Sequence, residues 1–295
     1  MEASDHKKLF KLYPSPVRKT YGVLFNFGET LQVHYEIEVT YLEEMPDDTF
    51  LFELNKKQVY IDNKAPDKMI DKLADEMGKV LYPLSLKVTK QGLIAEVCNQ
   101  DSILKRWKIK REELLEAYQG KVVAEGIQAM ETVLQDNVKL TGTVRKDWFF
   151  SLFFSGFYGL QHKDKLDPLS LLLPMMPYAP LAEYGVFREI TERNDTNQAF
   201  TITCRSDNTV TWAALPAKGS VDVTYKLYHA DFTLRSITGA ASLTLDSGLV
   251  KNVSFEIFHQ PQQDFLLKND RADNRREIHP AEVKRSFWNI FSKRT

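Results

Sequence analysis

The chain reads as an α+β protein: long antiparallel strands in one curved or two small sheets, a helical middle segment and a short C-terminal amphipathic helix. Three observations carry this. Leu31, Val33, Tyr35, Ile37, Val39 and Tyr41 alternate with polar residues, the period of a strand with one dry face and one wet face. From Val186 to Gln260 the text is almost continuously strand-like, broken by short turns, which argues hairpins and not crossovers. Between these regions, apolar residues recur at three- and four-residue spacing, as on a helix with one buried stripe.

Composition narrows the class. The 295 residues are 43% hydrophobic and 27% charged, ordinary for a globular chain and enough for a substantial core. With 39 basic and 40 acidic residues the net charge is −1, so no overall field attracts nucleic acid or an anionic membrane. Two cysteines, Cys98 and Cys204, exclude a disulfide framework, and both are expected as buried thiols. The opening MEASDHKKLFKLYPSP lacks the apolar core of a signal peptide. No transmembrane segment is expected, and a cytoplasmic location fits best.

In order, residues 1–17 form a polar lead-in, 18–260 the α+β body, 261–280 a polar linker and 281–295 the amphipathic helix. If the strands form two sheets, the body divides into halves 18–137 and 138–260. Residues 22–41 read as strand, Met45 to Asp48 as a turn, and Thr49 to Leu54 and Gln58 to Ile61 as further strands. Pro66 and Asp67 open a helix with Met69, Ile70, Leu73, Met77, Val80 and Leu81 on one face, ended by Pro83. A hairpin turns about Gln91-Gly92, and Asp101 is expected to cap a helical block reaching Asn137.

Trp148 to Leu160, WFFSLFFSGFYGL, carries no charge. It is too short to cross a bilayer, which needs about 20 residues, and too apolar to face water. A buried helix capped by Asp147 satisfies both limits. Leu169 to Leu181 contains Pro174, Pro177 and Pro180, so it is expected as an irregular apolar segment over the core and not as a long helix or central strand. Strands follow at Phe187 to Thr191, Phe200 to Arg205, Thr209 to Leu215, Val221 to Tyr228, Phe232 to Ile237, Ala241 to Leu245 and Leu249 to Phe258, with turns at Asp207-Asn208 and Ser247-Gly248.

Signatures of catalysis are scarce. The sequence has no GxGxxG, phosphate loop, GxSxG or HExxH, and no histidines at helical metal-ligand spacing. No cofactor and no metal are expected. His34, His229 and His259 lie on or beside predicted strands and would form an acid–base site only by converging. Lys105 to Arg111, KRWKIKR, is the most basic run, but helical spacing turns Trp107 inward and the charges outward, so nucleic-acid binding is not expected.

The composition of the apolar runs favours a non-enzymatic binding protein of adaptor or chaperone type. It would hold an apolar small molecule or a hydrophobic segment of a protein partner on Trp148, Phe149, Phe153, Phe157, Tyr158, Leu172, Met175, Met176 and Tyr178. A structural subunit burying the same residues by self-association or within a larger assembly is one alternative. An enzyme centred near His34, His229 or His259 is the other. In the tail, Phe287 and Phe291 share a helical face framed by Lys284 and Arg285, with Trp288 beside them; these five are candidate contacts to a partner or membrane surface, unless the helix docks on its own body.

Overall fold

The computed structural model describes residues 12–158, 167–177, 179–193, 199–261 and 265–266. Tyr178, the end of the WFFSLFFSGFYGL run and the helix expected at 281–295 lie outside them.

Eighteen elements are present among the described residues. Strands β1 (Val17–Phe27), β2 (Leu31–Glu44), β3 (Thr49–Lys56) and β4 (Tyr60–Ile61) precede helix α1 (Met69–Lys79). The hairpin β5 (Leu84–Thr89) and β6 (Ile94–Val97) leads to helices α2 (Gln100–Ala117), α3 (Lys121–Leu134), α4 (Asn137–Arg145) and α5 (Trp148–Phe153). Then come β7 (Asp167–Leu173), β8 (Ala182–Arg193), β9 (Ala199–Trp212), β10 (Leu215–Tyr228), β11 (Leu234–Thr244), β12 (Val250–His259) and β13 (Phe265–Leu266).

All the strands belong to one sheet, which resolves the choice between one sheet and two. Its order is β6-β5-β3-β2-β1-β12-β11-β10-β9-β8-β7, with β4 beside β2 and β13 beside β1. Two meanders meet where β1 pairs antiparallel with β12. The chain leaves one edge of the sheet at β6 and re-enters the opposite edge at β7, so the helical segment between them has to traverse the sheet.

That traverse explains where the apolar run goes. Trp148 packs against Phe25 at 5.9 Å and Phe255 at 6.0 Å between ring centroids, and Phe153 meets Tyr21 at 5.0 Å. Phe154 reaches Phe52 on β3, and Phe157 reaches Tyr225 on β10. Those strands are five positions apart, about 24 Å in a flat sheet at ~4.8 Å per strand, whereas Phe154 and Phe157 are three residues apart. The sheet therefore curls around the segment, as so wide an antiparallel sheet tends to do.

Alternation supplies the wall. Tyr21, Val23 and Phe25 lie opposite His259, Ile257 and Phe255 on one face, and all but His259 are buried hydrophobics. Asp147 caps α5 as expected: its carboxylate accepts from Phe149 N at 2.8 Å and Phe150 N at 3.4 Å.

Several local expectations are corrected. Leu169 to Leu173 belongs to β7; as the edge strand of its meander it tolerates Pro168, whose missing N–H costs no interior pairing. The irregular stretch begins only at Pro174. Asp207-Asn208 is not a turn: β9 runs through it, and the pairing with β8 shifts register between Tyr184 and Val186. The hairpin turns instead at Ala213-Ala214, both with positive φ of 51° and 65°, between the paired Trp212 and Leu215. The single strand read over residues 22–41 is broken after Phe27, where the chain turns into β2. Asp101 lies inside α2, whose N-terminal flank is Asn99; the Asn99 side chain is engaged with Ser85 N and Pro83 O. Cys98 is exposed, while Cys204 is buried.

Candidate functional site

Between the core face of the sheet and α5 lies a partly open space of about 40 Å³. Its sheet wall comprises Tyr21, Val39, Phe52 and Leu234, and its helix wall Phe153 and Phe154. Tyr158 lines one side, and Leu12, Pro14 and Ser15, from the strap that leads into β1, line it as well. At ~10–15 Å³ per water-sized probe, the space would hold about three waters and no larger molecule.

Each wall has a local cause. Tyr158 is pinned by its amide, which donates to Gln91 O at 3.1 Å, and by its hydroxyl, which donates to Phe232 O at 2.8 Å. Its ring lies so close to Gly92 that a Cβ there would meet Tyr158 Cδ2 at 2.6 Å, and Gly92 has φ +87°. Only glycine suits that turn on both counts. Burial holds the Tyr158 hydroxyl well above its ordinary pKa, with Asp231 adding to the effect, so it remains a neutral donor. The strap has no secondary structure before Val17 and is tied by Tyr13 N donating to Asp231 O at 3.1 Å.

The polar end of the space is a cluster absent from the sequence-based candidates. Lys19 lines the cavity with Thr233. Its ammonium pairs with Asp231 Oδ2 at 2.9 Å and donates to Thr233 Oγ1. Thr233 in turn donates its hydroxyl to Asp231 Oδ1 at 2.6 Å and its amide to the same oxygen at 2.9 Å. Burial pushes the Asp231 carboxyl up, but the bonds from Thr233 and Lys19 outweigh it and hold the group below the usual carboxylate range. Beside the pair, Tyr228 OH and His259 Nδ1 are 2.5 Å apart, and Lys19 Nζ lies 5.0 Å from the Tyr228 ring centroid. A signal for Lys19 was present: it shares the parity of Tyr21, Val23 and Phe25, which places it on the core face.

Of the apolar candidates, Phe153 and Tyr158 line this space. Trp148, Phe149, Phe157 and Met175 are buried in the core, Met176 is partly exposed, and Leu172 is exposed on the other face of β7. Tyr178 lies outside the described residues, as do Lys284, Arg285, Phe287, Trp288 and Phe291.

The three histidines do not converge. His34 pairs with Leu24 and His259 with Tyr21; these partners have opposite parity, so the two imidazoles lie on opposite faces. His34 falls on the outer face, as its alternation implies, but it is buried there and stacks on Tyr60 at 5.0 Å. His229 stacks on Phe200 at 4.1 Å. Among the described residues no group of three or more His, Cys, Asp or Glu is placed to hold a metal ion, and no helix is long and apolar enough to cross a membrane.

A second polar feature is Arg188, fully buried on the core face of β8 directly opposite Cys204. Burial pushes the Cys204 thiol up to about 12, which leaves it protonated and unreactive at neutral pH.

Comparison with known protein families and with curated proteins finds no match to this chain. The functional reading therefore rests on the site.

Proposed function

We propose that the protein is a non-enzymatic binding protein that holds an apolar molecule between the core face of its sheet and α5. The observation that carries the reading is the strapped cavity. Its walls are mostly aromatic and aliphatic, Lys19 and Thr233 are among its polar lining, and Leu12 and Pro14 from a segment outside the sheet line it too. Pockets for small molecules are mostly apolar, with a few convergent polar groups. The present volume is far below the ~300 Å³ such ligands need, so occupancy requires the strap to swing away. The strap lies outside the sheet and is held to it by the hydrogen bond from Tyr13 N to Asp231 O, so it can leave without breaking strand pairing. A cytoplasmic setting belongs to this reading, in keeping with two free thiols.

The test is titration with N-phenyl-1-naphthylamine, whose fluorescence rises in apolar surroundings, on the whole chain and on Leu12→Asp. Saturable one-to-one uptake, tightened in the variant, is the expected result. Absence of uptake by both, with native circular dichroism, would refute the reading.

A second reading, self-association, is favoured by one separate observation. The tips of the β1–β2, β11–β12 and β9–β10 hairpins adjoin at one rim of the sheet, and they expose Leu31, Leu249 and Val250, and Leu215. Light scattering on Leu215→Ser with Leu249→Ser would show a lower mass than the unmodified chain if this rim joins copies, and an equal mass if it does not.

A further inference from the structure

The polar end of the cavity narrows the class of ligand, on the premise that the strapped cavity is the binding site. Lys19 and Asp231 form a pair of zero net charge whose side chains are 14% and 20% exposed. An ammonium has three N–H donors; Asp231 and Thr233 take two of them. The ring face of Tyr228, 5.0 Å from Nζ, is a neighbour of the third but a weaker acceptor than an oxygen. A molecule filling the cavity and excluding water would meet one strong donor next to a carboxylate.

Three classes of head group fare differently there. A pure hydrocarbon excludes water from the ammonium and offers it nothing, which is costly for a buried donor. An anionic head meets Lys19 and Asp231 together, so repulsion from the carboxylate offsets most of the attraction while a third charge is desolvated. A neutral oxygen acceptor takes the donor and brings no charge.

We propose that the ligand is a neutral, chain-like molecule with one terminal oxygen acceptor, of the fatty alcohol, ester or ketone class, whose chain displaces Leu12 and Pro14 and whose oxygen accepts from Lys19. Asp231 makes the site select against carboxylates by cancelling the charge of Lys19, and Thr233 positions the two groups.

The experiment displaces N-phenyl-1-naphthylamine from the full chain with 1-decanol or with decanoate, at a pH of about 8 where decanoate is ionised. Decanol is expected to compete about tenfold or more better than decanoate, the difference coming from desolvation of the carboxylate and its repulsion from Asp231. In Asp231→Asn the ammonium loses its counter-charge, and decanoate is expected to gain at least as much as that gap. Equal competition, or tighter decanoate, in the unmodified chain overturns the inference while leaving the binding reading in place. Probe uptake that neither compound reverses also overturns it. Failure of both the unmodified chain and Leu12→Asp to take up the probe removes the binding reading itself. The comparison within the unmodified chain decides the matter even if the variant does not fold.

Discussion

The Lys19–Asp231 pair gives a stability prediction with a definite sign in pH. Asp231→Asn keeps a carbonyl oxygen that can accept from the Thr233 amide but leaves the Lys19 ammonium without its counter-charge. Breaking a fully buried pair from one side costs about 3–5 kcal/mol. Here side chains 14% and 20% exposed allow water to screen part of that, and about 2 kcal/mol is the expected loss at neutral pH. At about 2–4 °C per kcal/mol for chains of this order of size, the melting temperature should fall by roughly 4–8 °C. The folded-state carboxyl lies below its ordinary value. Its contribution is therefore present above the unfolded pKa of about 3.9 and is lost as the pH falls through the lower folded value. Asn does not titrate, so the gap between variant and parent should be full at pH 7 and should begin to close below a pH of about 4. Urea unfolding at several pH values measures this directly. Equal stabilities at pH 7, or a gap that holds its size into strong acid, would refute the reasoning.

Other substitutions test the frame around the site. Replacing Ala213-Ala214 with Asn-Gly should raise stability by about 1–2 kcal/mol in urea unfolding, because both positions have positive φ and alanine bears the left-handed strain that Asn and Gly avoid. Gly239→Ala should destabilise by about 1–3 kcal/mol, since its Cβ would meet Asp222 O at 2.2 Å and the Phe255 ring at 3.0 Å; unchanged thermal unfolding would show that β10 and β11 can separate there. Asp147→Ala should cost about 1 kcal/mol by removing the cap of α5, with the loss visible in near-ultraviolet dichroism from Trp148.

How much of this was legible in the sequence depends on the distance over which the information acts. The alternation at Leu31 to Tyr41 and the capping aspartate at 147 are local signals, and both specify what forms. The pairing of β1 with β12 joins residues more than two hundred positions apart and leaves no local mark, so a single sheet could not be told from two. Ala213-Ala214 hides its turn because neither residue favours the left-handed region it occupies, whereas Asp207-Asn208 has turn chemistry that the flanking β8 and β10 pairings override. Pro174, Pro177 and Pro180 were read as making the whole of Leu169 to Leu181 irregular, yet their bar begins only at Pro174, and Leu169 to Leu173 before it are free to form the edge strand β7.

The site itself was half legible, for a reason that bears on what it does. Reading by hydropathy finds Phe153 and Tyr158, because an apolar wall is written in apolar residues. It passes over Lys19, which sits at a core-face position of β1, and Asp231, which looks like an ordinary turn residue until Thr233 and Lys19 close on it. A strand that places a lysine where its period calls for an aliphatic departs from local consistency, and such departures concentrate where a protein holds something other than itself. Arg188 on β8 makes the same departure on the same face. Two basic residues on the interior face of one curled sheet are costly to keep for stability alone, and that cost is the physical ground for looking to the sheet's interior for function.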